Sequence, residues 1–250
     1  MKGSISSGFT VIEVVLFLVV SSALTVAIFS TITMSINEQK YRDTLTGVQS
    51  KISSQFNQTT HVVNSRDNNS GVACGSTTNR GASNCIVIGR LVEVHEDSIT
   101  TSSLIATPVD DGVVVDGIPN QVANSSTADD PTTVEDYFKL YNITSDKDSS
   151  ADTYQLPWEA DIEGIGDGQK LMIMILRSPE TGQIYTYSKQ VSDGDTTYRS
   201  IIEDTNTVER TICIPRDGLG SSKSLGIKLR AKASNAGSVE LLTDGEGNPC

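Results

Sequence analysis

Residues 9–29 have the sequence FTVIEVVLFLVVSSALTVAIF, which is the longest apolar run of the chain. As an α-helix it would be ~32 Å long, enough to cross the ~30 Å hydrocarbon core of a bilayer. Its single charged residue is Glu13, and a carboxylate inside a bilayer is costly unless it has a partner. A polar segment with one lysine, Lys2, precedes the run and ends in Gly8. The sequence therefore predicts a membrane-inserted helix whose carboxylate is paired.

Cleavage between Gly8 and Phe9 would create an α-amine that could pair with Glu13. Residues i and i+4 of a helix lie on one face, so the carboxylate could reach this amine in its own subunit or in a neighbouring one. The combination of a leader, a glycine, an aromatic residue and a glutamate at this spacing resembles the class III signal of type IV pilins and pseudopilins. The resemblance covers about the first 60 residues.

The resemblance implies that a prepilin peptidase cuts after Gly8 and methylates the Phe9 amine. It gives Glu13 an assembly role, in which the carboxylate pairs with the Phe9 amine of a neighbouring subunit. The implied partners are other pilin subunits in a homo- or hetero-filament, the prepilin peptidase, an inner-membrane assembly platform and, before assembly, membrane lipid. The subunit would be a single-pass protein of the cytoplasmic membrane before assembly, and part of an extracellular filament at the cell surface afterwards.

The predicted function is therefore a structural subunit of a type IV filament, a minor pilin or pilin-like protein, and not an enzyme. Two alternatives keep the same family: a pseudopilin of a type II secretion system, and a subunit of a competence system for DNA uptake. Three others do not: a signal anchor for a surface binding domain that never polymerises, a secretory signal cut near residues 21–23, and a buried core helix. The intramembrane Glu13 favours the pilin interpretation, because only that interpretation supplies its partner.

Beyond residue 29 the apolar pattern narrows to one stripe with helical spacings of three or four residues, which consists of Tyr41, Leu45, Val48, Ile52 and Phe56. One helix is predicted from about Thr10 to about Asn64. The predicted segments are a leader (1–8), a membrane or assembly half of the helix (9–29), an amphipathic half (30–64) and a β-rich globular head (65–250). The fold class is α+β, with a long N-terminal helix packed on an antiparallel sheet, as the pilin resemblance also implies.

The head is predicted to be one antiparallel sheet. Its predicted strands cover residues 86–94, 104–109, 112–115, 170–177, 183–189, 207–214, 225–231 and 238–242. Residues 170–177 (KLMIMILR) are almost continuously apolar, which predicts a central strand covered on both faces. Residues 134–143 are compatible with either a short helix or a strand, and residues 146–152 are predicted to form a polar loop.

The chain has four cysteines: Cys74, Cys85, Cys213 and Cys250. An even number beside an export signal predicts two disulfides, for which three pairings are possible. We favour Cys74–Cys85, which would close a polar loop, and Cys213–Cys250, which would tie residue 250 to a strand. The pilin resemblance implies that this second, disulfide-closed segment covers the edge of the sheet.

The net charge of −12 argues against broad nucleic-acid binding, because an acidic surface repels phosphates. A local basic strip of Lys228, Arg230 and Lys232 is interpreted as a solvated strand face. The single tryptophan, Trp158, is assigned to core packing.

No cofactor and no catalytic residues are predicted, because no nucleophile–base pair and no cysteine or histidine pair with metal-ligand spacing occurs. Two acidic turns are weak candidates for Ca²⁺: Asp193 to Asp195, and a second turn that contains Asp244, Glu246 and Asn248. For both, a plain turn kept soluble by its charge is the favoured interpretation.

Overall fold

The computed structural model describes residues 10–61, 86–108, 133–139, 141–146, 151–178, 181–195, 197–202, 207–215, 225–242 and 250. In chain order its elements are α1 (Val11–Thr60), β1 (Ile86–Val94), β2 (Ser98–Pro108), α2 (Val134–Lys139), β3 (Tyr141–Asp146), β4 (Asp152–Gln155), β5 (Gln169–Arg177), β6 (Ile184–Ser192), β7 (Arg210–Ile214), β8 (Leu225–Leu229) and β9 (Val239–Leu241). Short 3₁₀ turns lie at Pro157–Glu159, Tyr198–Ile201 and Ala236–Ser238. The fold is α+β, as predicted: one long N-terminal helix and antiparallel sheets.

Helix α1 contains 50 residues and is therefore ~75 Å long. It begins one residue after the predicted start and ends at Thr60, earlier than the predicted Asn64. Its buried side chains all lie in the second half and form one face, which consists of Tyr41, Thr44, Leu45, Val48, Ile52, Gln55, Phe56 and Thr59. The stripe predicted from helical spacing is thus confirmed, and three polar residues join it.

The larger sheet has the strand order β3–β2–β1–β5–β6, and all its pairs are antiparallel. Strand β4 pairs with the first part of β2, from Ser98 to Thr101, and β3 pairs with the second part, from Ser103 to Pro108. Residues 146–152 are therefore not wholly a loop as predicted, because Asp146 ends β3 and Asp152 begins β4. Residues 134–143 divide into α2 and the start of β3.

Strands β7, β8 and β9 form a separate antiparallel sheet, so the prediction of a single sheet was wrong. The edge of β6 is covered by side-chain contacts instead of a seventh strand. Thr186 Oγ1 donates to the Ala233 carbonyl at 2.6 Å, and an Arg210 guanidinium nitrogen donates to the Ser188 carbonyl at 3.3 Å. The second sheet packs on α1 through β8 and β9. Helix α1 therefore contacts both sheets, through β1 and β5 of the larger and through β8 and β9 of the smaller.

Strand β5 is central and separates two cores, as its apolar run predicted. Alternate residues point to opposite faces of a strand. Leu171, Ile173 and Ile175 belong to the core around α1, to which the second sheet also contributes Ile212, Ile227 and Val239. Met172, Met174 and Leu176 belong to the core on the other face, which is closed by α2 and the 3₁₀ turn at Tyr198–Ile201.

Candidate assembly helix and its junction with the head

Residues 11–36, which we call the stalk, extend along α1 without packing against the sheets. Every residue in this range is exposed except Ser21, which is half-buried. The stalk is ~39 Å long, and its only charged residue is Glu13. By length and composition this helix is able to cross a membrane, and none of its most apolar 18-residue stretch is buried inside the protein. A core helix would be largely buried, so that interpretation does not fit. A secretory signal would pass the same test of length and composition.

Five hydroxyl groups of the stalk find acceptors within the helix. Each donates a hydrogen bond of 2.7–3.0 Å to a backbone carbonyl three or four residues earlier, and these residues are Ser22, Thr25, Ser30, Thr31 and Thr33. A polar group in hydrocarbon is costly mainly when it lacks a partner. These five hydroxyl groups are therefore compatible with an apolar environment around the stalk.

Glu13 lies in the first turn of α1. The backbone N–H of Thr10 donates to Glu13 Oε2 at 3.4 Å, as in a capping box. A carboxylate at this end of a helix is also stabilised by the helix dipole. Gly8 and Phe9, which the resemblance assigns to cleavage and methylation, lie outside the described residues. The structure thus gives the local geometry of Glu13 but not that of the predicted cleavage site.

The junction between the stalk and the head is made by Tyr41, the first buried residue of α1. Its hydroxyl donates to the Ile214 carbonyl at 2.8 Å and accepts from the Leu225 N–H at 2.6 Å. Ile214 ends β7 and Leu225 begins β8, so one side chain links α1 to both strands of the second sheet. Helical spacing identified Tyr41 only as an apolar stripe residue. Its hydroxyl was the available signal, because a buried tyrosine usually has a hydrogen-bond partner.

Further polar contacts bind α1 to the two sheets. Gln49 Nε2 donates to the Val239 carbonyl at 3.0 Å in the second sheet. Gln55 Oε1 accepts from Arg90 Nε at 2.9 Å in the first. Burial lowers the pKa of the Arg90 guanidinium, and the nearby Asp152 carboxylate partly opposes that shift. The second half of α1 is therefore held on both flanks.

Lys51 and Asp152 form an ion pair between α1 and β4. The Lys51 side chain is mostly buried, whereas Asp152 is exposed. A hydrogen bond from Lys51, and then its charge, hold the pKa of the Asp152 carboxyl below its usual value. This pair supports the same helix–sheet contact as the apolar stripe.

Trp158 is not a core residue, and the prediction of core packing was wrong. Its side chain is 61% exposed, and Lys40 Nζ lies 4.3 Å from the centroid of its ring. The neighbouring Tyr154 packs against the core instead, with its hydroxyl beside Gly47 of α1. A Cβ at residue 47 would lie 2.2 Å from that oxygen, so the close approach requires glycine. Pro157 indicated a turn at this point of the sequence, and in the structure the side chain that follows it, Trp158, faces outwards.

Cys213 and Cys250 form a disulfide, which confirms the favoured second pairing. The bridge ties residue 250 to β7 and encloses β8 and β9, as predicted. Glu163 extends this contact, because its N–H donates to the Cys213 carbonyl at 2.8 Å in an isolated antiparallel bridge. Cys74 and Cys85 lie outside the described residues.

The described part of the chain contains no group of three or more histidine, cysteine, aspartate or glutamate residues able to hold a metal ion. Asp195, one of the weak calcium candidates, accepts a hydrogen bond from the Thr197 N–H at 2.8 Å, and this bond lowers the pKa of its carboxyl. That geometry is a capped turn. The other candidates, Asp244, Glu246 and Asn248, lie outside the described residues.

Two of the three residues of the basic strip are in ion pairs with carboxylates. Lys228 Nζ lies 2.9 Å from Glu209 Oε1, and a guanidinium nitrogen of Arg230 lies 2.6 Å from Glu240 Oε1. A buried pair also occurs in the larger sheet, where Lys170 Nζ lies 2.6 Å from Glu93 Oε1. Lys228, Arg230 and Lys170 are therefore structural groups, each paired with a carboxylate.

Comparisons with protein families, with curated proteins and with solved structures return no match for this chain.

Proposed function

We propose that this chain is a structural subunit of a type IV filament, a minor pilin or pilin-like protein, which assembles through α1 after cleavage by a prepilin peptidase. One observation carries the proposal: a ~39 Å exposed apolar stalk with a single carboxylate in its first turn is continuous with the helix that supports the head. An exposed apolar surface of this size requires lipid or protein around it. A filament subunit would have both in turn: membrane lipid surrounds its stalk before assembly, and neighbouring stalks surround it afterwards.

In this mechanism the stalk first inserts in the cytoplasmic membrane, with Lys2 on the cytoplasmic side. The peptidase then cuts after Gly8 and methylates the new amine of Phe9. In the uncut chain the Glu13 carboxylate accepts its hydrogen bond from the Thr10 N–H. During assembly it exchanges this weak local contact for the Phe9 amine of a neighbouring subunit, which sets the axial register of the filament.

The head is suited to a structural role because it is attached along the second half of the helix, from Tyr41 to Thr59. Tyr41, Gln49 and Gln55 each hydrogen-bond to a strand or to a side chain of a strand. Since α1 runs without a break from Val11 to Thr60, the position of the stalk determines the position of the head. No catalytic role is proposed for any residue.

A signal anchor that holds a surface domain without polymerisation is the second candidate, and the same stalk favours it. The two functions differ in what they require of Glu13. A filament needs its carboxylate, whereas a plain anchor would tolerate or gain from an apolar residue at that position. A pseudopilin of a secretion system or a subunit of a competence system would need the Glu13 carboxylate as much as a pilus subunit does.

The first test is the intact mass and N-terminal sequence of the protein from native membranes. A chain that begins at Phe9, with or without a methyl group, supports the proposal. A chain that begins at Met1 supports the plain anchor, and one that begins near Leu24 means an ordinary secreted domain.

The second test substitutes Glu13→Leu and, as a matched control in the same stalk, Phe17→Leu. We expect the Glu13 variant to be processed normally and to lose incorporation into sheared filaments by about tenfold or more, since the loss of one charge pair in a low-dielectric setting exceeds 1.4 kcal/mol. The Phe17 variant should retain incorporation. Normal incorporation of Glu13→Leu would contradict the proposed assembly role.

A further inference from the structure

Trp158 is an exposed aromatic residue at the base of the head, next to the stalk. It lies over Lys40, four residues beyond the last stalk residue, Ile36. It is the only tryptophan of the chain. Large aromatic side chains are normally covered by protein or placed at an interface with a polar end and an apolar end. The exposure of this one leaves its ring available for an external contact.

The backbone holds Trp158 outwards. Trp158 and Glu159 have φ values of 66° and 55°, in the left-handed region that favours glycine, although neither is glycine. Residues that keep this conformation do so because their surroundings impose it, and such residues cluster at functional sites. Here the flanking residues are pinned to the turn between β1 and β2, because Leu156 N–H donates to the Asp97 carbonyl at 2.9 Å and Ile162 N–H donates to the Glu96 carbonyl at 2.7 Å.

The height of Trp158 along α1 matches the surface of a bilayer. From Val11 to Lys40 the helix rises ~44 Å, and a bilayer with its headgroups is ~40–45 Å thick. With Val11 at the cytoplasmic surface, the Trp158–Lys40 pair lies at the outer headgroup level. This step depends on the proposed membrane insertion of the stalk.

We propose that Trp158 is a membrane-interface anchor, which places the base of the head against the outer headgroups before the subunit enters a filament. Tryptophan is enriched at this level because its ring is apolar and its indole N–H can donate a hydrogen bond to a headgroup or a carbonyl. The long side chain of Lys40 places its ammonium at the same level, where phosphate groups accept it.

The partner is a zwitterionic lipid surface and not an anionic one. Glu38, Glu159 and Asp161 are close in sequence to the pair, and they offset the charges of Lys40 and Arg42. Together with the net charge of −12, they oppose attraction to an anionic membrane. The contact therefore depends on the aromatic ring, with Lys40 as a local phosphate partner.

The single tryptophan makes the test direct, because excitation at a wavelength that the seven tyrosines do not absorb gives emission from this residue alone. The protein is placed in phosphatidylcholine nanodiscs with a tryptophan-free scaffold protein, at one chain per disc, and its emission is quenched with lipids brominated either near the headgroups or deep in the acyl chains. We expect a blue-shifted emission and at least about twofold stronger quenching by the shallow bromines, as for an interfacial ring.

Two variants on a Trp158→Phe background serve as depth controls. Leu24→Trp places the fluorophore in the middle of the stalk and should be quenched most by the deep bromines. Gln58→Trp places it on an exposed position ~27 Å further along α1 than Lys40, where neither lipid should quench it.

The outcomes separate the two proposals. If Leu24→Trp shows deep quenching and Trp158 shows none, the stalk is inserted and the anchor proposal is wrong. If Leu24→Trp is not quenched, the membrane insertion on which the proposed function depends fails. A Trp158 blue shift that appears only with several chains per disc would mean that a second copy covers the ring, which would also overturn the lipid anchor.

Discussion

The substitution Tyr41→Phe removes one oxygen atom at the junction between α1 and the second sheet. That oxygen makes two hydrogen bonds, at 2.8 Å to the Ile214 carbonyl and at 2.6 Å from the Leu225 N–H, and the tyrosine is 7% exposed. A hydrogen bond contributes ~1 kcal/mol net, and a buried group left without its partner costs ~1–3 kcal/mol. We therefore expect the variant to lose ~2 kcal/mol of stability at this junction.

Hydrogen exchange of the full chain in detergent micelles measures this loss locally. A loss of ~2 kcal/mol corresponds to a decrease of about 30-fold in the protection of the Leu225 amide. The control is Tyr185→Phe, which removes a hydroxyl that donates to Gln183 only two residues away, at an exposed site. It should change protection at Leu225 by less than about twofold, since exposed local hydrogen bonds contribute little. Equal exchange of Leu225 in the wild type and in Tyr41→Phe would refute the assigned role.

Two further predictions concern contacts of α1 with the head. Gly47→Ala should destabilise the chain by ~1–3 kcal/mol, because the new Cβ would lie 2.2 Å from the Tyr154 hydroxyl oxygen. Urea unfolding should show that Tyr154→Phe recovers part of this loss, whereas an additive double variant would contradict the clash. Because the folded-state pKa of Asp152 is lowered by Lys51, its contribution to stability is present above pH ~4 and is lost as the pH falls through the folded pKa. The urea midpoint should therefore fall less between pH 7 and pH 3 in Lys51→Met than in the wild type. An equal fall of the midpoint in the two proteins would argue against a stabilising role for this pair.

The strands that sequence analysis placed well are those with strong local patterns. The predicted strand 86–94 matches β1, and 170–177 differs from β5 by one residue. Strand β2 was recognised only from residue 104, although it begins at Ser98. Its first part is rich in serine and threonine and has no apolar alternation, so its strand conformation comes from pairing with β1 and β4. Residues 112–115 lie outside the described residues.

The candidate site likewise contains features that local sequence predicted and one that it did not. Glu13 and the apolar run were visible in the sequence because a charge inside hydrocarbon is unusual at any position. The exposure of Trp158 was missed, because the outward turn depends on hydrogen bonds between residues 156–162 and the distant turn between β1 and β2.

The apolar stalk, the position of its carboxylate, the buried stripe of α1 and the central place of β5 could all be predicted from the order of residues. Each depends on the spacing of residues along one segment, which helical and strand periodicity convert directly into a face. Tertiary packing was needed to show that the strands form two sheets and that the hydroxyl of Tyr41 joins β7 and β8 to the helix, and to select Cys213–Cys250 from the possible pairings. The disulfide and the Tyr41 hydrogen bonds join residues 37 to 184 positions apart, and such long-range contacts follow from how whole faces pack.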